Sequence, residues 1–452
     1  MPEGRPDGRP ETRPAGRELN LTLDLCLRVG ELLLSNGAGA ADVTSAMRLV
    51  ANHFGLRRAD VDLTFTSLSM TYQPEPGEPA TVMIRQVGQR DIDYEDLTRV
   101  DHLVRDLLAD RLDLAQARAE MARIASTGHH RARWRVTAGS GVMCASVAVF
   151  LGSGALIAAI ALVTAVVIDR MQLVMQRQRL PFFYRQVAGG AVATLIAVGT
   201  QLLDRDLDPS LVVTANIIML LAGIGFMGGL QDALSGFYIT AGARMTEALL
   251  ATAGIIAGVS GGLAVGEVVG VGIGRVEPGS TDLGTLPVLV AGSAICAAAF
   301  AYSAYAPRRS LVPIALVGGL AAGVSALGAN AGVGRTWPTG FAAFLIGLVA
   351  YSVSGRFRIP PLVVVVPAIV PMLPGLTIYR GLSLLSEPKG STSEGLLAMV
   401  TAAAVAIAIA AGVILGEYLA QPLKREARRL ETRLSGPRLV GPLRALGRHQ
   451  RR

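Results

Sequence analysis

A chain of 452 residues, 51% of them hydrophobic and with a mean hydropathy of +0.46, carries more apolar surface than one water-soluble core can hide. The net charge of +8 does not indicate a nucleic-acid partner, because the arginines sit at the two ends and in short connectors, where they mark membrane orientation. With 52 glycines and 5% aromatic residues, the composition is that of helices packing closely through small side chains in a bilayer.

Residues 1–18 lack an apolar stretch that could serve as a cleavable leader, and they read as a disordered tail. Residues 19–130 read as a cytoplasmic α+β soluble domain. Its first segment is ambiguous: Leu21, Leu25, Val29, Leu32 and Leu33 follow helical spacing, while Leu19 to Val29 also alternates as a strand would. Helix is favoured, with a stop at Ser35-Asn36-Gly37. A second helix is predicted from Asp42 to about Phe54. Two strand-like runs follow, Val61 to Met70 and Thr81 to Val87, across a Pro-Gly turn. Helical spacing returns over 94–108 and 113–125.

From Val136 the pattern changes. Residues 136–168 hold no charge, which is too long for one span and right for a hairpin turning at Gly152-Ser153-Gly154. Uncharged stretches then recur at 186–203, 209–231, 248–266, 283–307, 310–334, 336–355, 359–379 and 395–416, each near the ~20 residues that cross ~30 Å of hydrocarbon. The fold class is an α-helical polytopic membrane protein with ten transmembrane helices behind the α+β domain. The helices fall into two sets of five, 131–270 and 283–420, followed by a basic tail over 421–452.

Counting basic residues in the connectors gives the orientation. One side holds Arg170, Arg177, Arg179, Arg185, Arg244, Arg308, Arg309, Arg356 and Arg358; the other holds Arg205, Arg275, Arg335, Arg380 and Lys389. The richer side is cytoplasmic, and with an even number of spans both termini lie there. The bacterial inner membrane is the implied location.

The sets are weakly self-similar. Pro209-x-Leu-Val-Val parallels Pro361-x-Val-Val-Val, Leu221-Ala222-Gly223-Ile224 parallels Leu373-Pro374-Gly375-Leu376, and Pro181 resembles Pro338. Five helices per copy is odd, so the second inserts upside down, a 5+5 inverted repeat of the kind secondary transporters use.

No nucleotide-binding loop G-x-x-x-x-G-K-[ST] is present. The five histidines lie outside the apolar stretches and lack zinc spacing, and Cys26, Cys144 and Cys296 are far apart, so neither a metal, a cofactor nor a disulfide framework is expected. Chemistry concentrates instead around the fourth span and its exit. Gly223, Gly225, Gly228 and Gly229 weaken that helix, and a broken helix exposes backbone groups that can hold a zwitterion. Pro367, Pro371, Pro374 and Gly375 repeat the theme in the ninth span, with Tyr379 beyond them. The competing explanation is close helix packing with ordinary kinks.

Ionisable groups near spans are costly and therefore candidates: Asp169, Asp232, Arg244, Glu247, Glu267, Arg380, Glu394 and Glu417. Most sit at predicted helix ends, where anchoring explains them. Asp232, Arg244 and Glu247 stand out by clustering beside the glycine-rich break, and Asn216 is the strongly polar side chain within the fourth span. A hydrolytic set of Ser67, Ser69, His53 and Asp42 lacks any framing elbow motif.

The segments SNGAGAADV, VDLTFTSLSMTY, DRMQLVMQRQRLPFFYRQVAGG, LLAGIGFMGGLQDALSGFYITAGAR and VPAIVPMLPGLTIYRGL, in this order, resemble the bacterial threonine/serine exporter family over residues 19–420. The resemblance implies proton-driven export of threonine, serine and related small solutes. The chain departs from the pattern at Ala222-Gly223, where the family favours Pro-Gly as at Pro374-Gly375. On this view Asn216, Gly223, Gly228, Gly229, Arg244, Pro371, Pro374, Gly375 and Tyr379 bind substrate, and Asp232 and Glu247 carry protons. The partners are a small amino acid, protons and the lipid bilayer, with a homo-oligomer left open; the protein is not an enzyme. The alternative from another class is a membrane-anchored sensor or regulator whose soluble domain binds the ligand.

Overall fold

The computed structural model describes residues 16–88, 92–129, 131–203, 209–220, 223–270, 283–374, 377–378, 380–381, 384 and 392–434. The N-terminal unit starts with α1 (Gly16–Ser35). Leu23, Leu25 and Leu27 are all buried, because α1 is central and packs on α2 (Ala40–His53), α3 (Tyr94–Leu108), α4 (Leu114–Ser126) and the sheet. A helix covered on several sides needs apolar residues all round, and this produces the strand-like alternation. It stops where Gly37 takes φ +96°, letting Ala38 N–H donate to Leu33 O at 3.0 Å and Gly37 N–H to Leu34 O at 3.3 Å.

The sheet is antiparallel in the order β1-β2-β3, with β1 (Ala59–Leu63), β2 (Ser67–Tyr72) and β3 (Thr81–Gln86). Val61 to Met70 is therefore two strands rather than one run. The chain reverses at residues 64–66, where Thr64 N–H and hydroxyl both donate to Ser67 O, at 2.9 and 3.3 Å. The turn contains Phe65 and Thr66 and no Gly or Pro, so its residue types argue for strand and hide the reversal.

The apolar part comprises α5 (Arg133–Phe150), α6 (Ala155–Arg177), α7 (Phe182–Leu203), α8 (Pro209–Leu220), α9 (Gly223–Leu234) and α10 (Tyr238–Val268). These are followed by α11 (Leu286–Ser303), α12 (Leu311–Gly328), α13 (Thr336–Phe357), α14 (Leu362–Ile369) and α15 (Thr392–Leu434). Among the described residues seven helices, α6, α7, α10, α11, α12, α13 and α15, are long and apolar enough to cross a membrane. The pair α8 and α9, bent by 43°, makes an eighth if it is one broken span. Two of the ten expected spans fall outside this set. The α5 helix opens with Arg133 and Arg135, and α14 has only 8 residues before a 3-10 turn over Val370–Met372.

Packing follows small residues. The α5 helix lies on α6, α8 and α11; α6 on α7 and α8; and α7 on α8 and α10. In the later set α11 lies on α12 and α14, α12 on α13 and α14, and α13 on α14 and α15. Glycine is obligatory where α7 meets α10 and α13 meets α15. A Cβ on Gly258 would overlap the Val187 carbonyl oxygen, and one on Gly412 the Gly340 carbonyl oxygen.

The N-terminal unit docks on helix ends. Tyr94 N–H donates to Ala304 O at 2.9 Å, His102 Nε2 lies 2.8 Å from Arg358 O, and Arg131 donates to the carbonyls of Tyr302 and Ala306. Asp93, Asp96 and His129 gather within 4.8 Å, where Asp93 caps α3, Asp96 holds Arg99 and the His129 ring stacks on Tyr305 at 3.9 Å.

Candidate functional site

The site is built where the N-terminal unit meets the exit of the broken helix. The α2 helix begins after Gly39, which has no side chain with which to cap it. The cap comes from 192 residues away: Asp232 Oδ1, at the end of α9, accepts from Ala40 N–H at 2.9 Å. Asp232 is 1% exposed, and a carboxylate so buried requires compensation. Arg244 of α10 supplies it with Nε 3.2 Å from Oδ2, while its Nη2 donates to Ala38 O at 3.1 Å. A helix N-terminus and a guanidinium thus neutralise one acid, and the Ala38–Ala40 backbone takes part on both sides of the pair.

Glycines set these distances. A Cβ on Gly228 would come 2.9 Å from Arg244 Nη1, and one on Gly229 would come 3.1 Å from Ala241 O. The two glycines admit the arginine between α9 and α10. A Cβ on Gly39 would lie 3.6 Å from Asp232 Oδ1 and 3.9 Å from Asp42 Oδ2, which places both carboxylates beside that residue. Asp42 is exposed at the edge of this cluster, with its carboxylate against Gly39. Desolvation, then repulsion from Asp232, holds its carboxyl above the usual carboxylate range. Glu417 on α15, which packs on α9, stands close enough to Asp42 to feel its charge.

The structure therefore brings together Asp232, Arg244, Gly228 and Gly229 from the sequence candidates. Gly223 begins α9. Asn216 is fully buried on α8; its Nδ2 donates to Val212 O at 2.9 Å, and its Oδ1 has no hydrogen-bond partner among the described residues. Val370 and Leu373, flanking Pro371 and preceding Pro374, belong to the same apolar cluster as Val212, Ile217 and Leu220 of α8, while the Val370–Met372 turn packs on α11 and α12. Glu247, nearly one helical turn after Arg244 on α10, is exposed and forms no ion pair among the described residues. Gly375 and Tyr379 lie outside the described residues. Asp169 pairs with Arg133 at 2.8 Å and accepts from the Thr137 hydroxyl at 2.7 Å, clamping α5 to α6. The imagined hydrolytic set does not assemble. Asp42 and His53 lie about 16 Å apart along α2, and His53 faces Asp110 at 3.6 Å.

Asp42, Glu417 and the Ala38–Ala40 backbone were not singled out from sequence as parts of this site. The available signal was SNGAGAAD itself, a string of small residues that permits close approach, ending in an acid.

Seven apolar helices of spanning length among the described residues, with a further bent pair that ends at a buried ion pair, define a helical membrane protein. Residues 24–266 match the family model described as "Putative threonine/serine exporter", and residues 289–419 match "Threonine/Serine exporter, ThrE". The boundary between the two matches falls between α10 and α11. The chain is 36% identical over 435 residues, 94% of its length, to the "Probable threonine/serine exporter" of Mycobacterium tuberculosis, covering 81% of that protein. It is 32% identical over 421 residues, 90% of its length, to the "Threonine/serine exporter" of Corynebacterium glutamicum, covering 84% of that protein. No solved structure matches. The chain belongs to the threonine/serine exporter family, a family of transporters and not of enzymes.

Proposed function

We propose that this protein exports threonine and serine by proton antiport across the bacterial inner membrane, at a site formed by Asp232 and Arg244 and facing Asp42. The observation that carries the reading is the buried Asp232–Arg244 pair at the exit of a bent helix. A zwitterionic amino acid has the same two charges. Inserted between the partners, its carboxylate meets the guanidinium and its ammonium meets Asp232. A proton competes with the ammonium for that carboxylate, so the site holds one or the other, as antiport requires.

The chain crosses the bilayer ten times as a 5+5 inverted repeat. Several observations support this. The pairwise packing of α5 to α10 recurs in α11 to α15. The spacing of 152 residues that separates Pro209 from Pro361 also separates Cys144 from Cys296, which are near neighbours across the α5–α11 seam. Along that seam Gly139 faces Tyr302 while Gly292 faces Phe150, the reciprocal pattern of a two-fold contact. The N-terminal unit bonds to residues 232, 244, 302–306 and 358, all in or beside connectors assigned to the cytoplasm, which favours cytoplasmic termini.

The test is counterflow of labelled threonine in liposomes holding the purified full-length protein, with and without an imposed pH gradient. Uptake that is saturable, shared by serine and accelerated by the gradient is the expected result. Absence of counterflow would overturn the assignment, and counterflow indifferent to pH would remove the proton.

A further inference from the structure

The membrane-facing side of the α5–α11 seam is concave. A cavity of about 630 Å³ is walled by Gly139, Val142, Ile295 and Ala298, and a second of about 480 Å³ continues it, sharing Val142 and Ile295. Together they run from Trp134 to Val149, about 22 Å at the helical rise. The small side chains on both helices create this trough instead of closing it.

One end of the trough is chemically distinct. Trp134, Arg135 and Arg308 line it, and Trp134 is 62% exposed. The Arg135 guanidinium sits 5.3 Å from the centre of the Trp134 ring. Neither Arg135 nor Arg308 makes an ion pair among the described residues, and both are exposed. Arg131 adds a third positive charge near Arg308 while its own hydrogen bonds go to the neutral carbonyls of Tyr302 and Ala306. An apolar trough of hydrocarbon length ending in unpaired guanidiniums beside an interfacial tryptophan matches one kind of molecule: an acyl chain below a negatively charged phosphate.

We propose that this groove is a binding site for an anionic phospholipid, its phosphate held by Arg135 and Arg308 and one acyl chain lying between Gly139, Val142, Ile295 and Ala298. The lipid is a wedge at the seam joining the two helix sets, where it bears on how they move against each other. The site depends on these helices crossing a bilayer and not on which solute is exported.

The chain has two tryptophans, Trp134 and Trp337, so Trp337→Phe leaves a single reporter in the groove. The full-length Trp337→Phe protein is placed in vesicles of phosphatidylcholine with increasing fractions of chain-brominated phosphatidylglycerol. As a reference, the same fractions of brominated phosphatidylcholine are used. Bromine on a chain in the groove quenches Trp134. The expected result is half-quenching by the anionic lipid at a far lower mole fraction than by the zwitterionic one. Arg135→Gln/Arg308→Gln, both substitutions on exposed side chains, lowers that preference about 30-fold. Equal quenching by the two headgroups would overturn the proposal. So would a preference that survives the double substitution, or a Trp134 unreachable by either lipid because a second copy of the chain covers the groove.

Discussion

The helix sets α5–α10 and α11–α15 pack in the same pairwise order but carry different chemistry. In both, glycines weld the third helix to the last, Gly258 against Val187 in one and Gly412 against Gly340 in the other. In the first set the interrupted helix ends in Asp232, buried, paired with Arg244 and bonded to the start of α2. In the second, the corresponding interruption is made of Pro367, Pro371 and Pro374, and the acid that set brings to the cluster, Glu417 on α15, has no basic partner among the described residues. Scaffold and chemistry are thus separable: close packing repeats, while the buried ion pair sits in one copy, where the N-terminal unit reaches it.

The sharpest way to break this contrast is at the charged pair. Removing one partner of a buried ion pair typically costs about 3–5 kcal/mol, because the survivor is left uncompensated. Asp232→Ala is expected to lower thermal stability by that order and to reduce threonine counterflow to background. Asp232→Ala/Arg244→Ala, which leaves no orphaned charge, should recover much of the stability and none of the transport. Wild-type counterflow in the double variant would mean that the pair is only a structural clamp.

Next come the glycines, which test whether the two scaffolds are equivalent. Gly258→Leu and Gly412→Leu each force a side chain into a carbonyl of the neighbouring helix. Overpacking of this kind costs about 1–3 kcal/mol or more. Unfolding temperatures in one detergent should fall by similar amounts for the two variants. Tolerance in one set and collapse in the other would show that the shared contact pattern hides different mechanical roles.

A smaller effect is expected at Asp42, the N-terminal unit's contribution to the charged set. Its carboxyl lies above the ordinary 3.8 through desolvation and the nearby Asp232, while Arg244 from α10 and Glu417 from α15 also face the cluster. A raised carboxylate pKa means that the charged form is disfavoured in the folded protein. The resulting penalty is present at pH above the raised value and is relieved as pH falls through it. Asp42→Asn removes that penalty, so it should be more stable than wild type at neutral pH, with the difference vanishing below 3.8. A difference independent of pH, read from melting curves across that range, would show that Asp42 is not in an acid-disfavouring position.

These particulars show what the sequence could reveal. Helices α3 and α4 were legible because their periodicity and their caps Asp93 and Asp113 are local, and the stop at Gly37 was legible because only a left-handed residue closes α1 there. The turn at residues 64–66 was not, since Phe65 and Thr66 favour strand. At the site, Asp232 and Arg244 stood out as ionisable groups beside glycines, a pattern within one stretch of chain. Their union with Ala38, Ala40 and Asp42 spans about two hundred residues and is created by docking, which periodicity cannot report. Glu247 is nearly one turn from Arg244 on α10, yet it is exposed and Arg244 bonds to Asp232 instead, a choice of partner that sequence spacing does not report.

The finest test of the comparison lies at the seam where the two sets meet. Cys144 on α5 and Cys296 on α11 are fully buried neighbours 152 residues apart in the chain, and the Ser146 hydroxyl donates to Met143 O at 2.7 Å. Each thiol is a small packing group here, so Cys144→Ala and Cys296→Ala should each cost little. Their effects should not add, because both enlarge the same space: contacting residues couple by about 0.5 kcal/mol or more, and distant ones do not. The double-mutant cycle therefore measures whether the two thiols share one space at the seam, which a two-fold contact through that point requires. Additive losses would place the cysteines in separate environments and leave the two helix sets similar in order of packing but unrelated by an axis between α5 and α11.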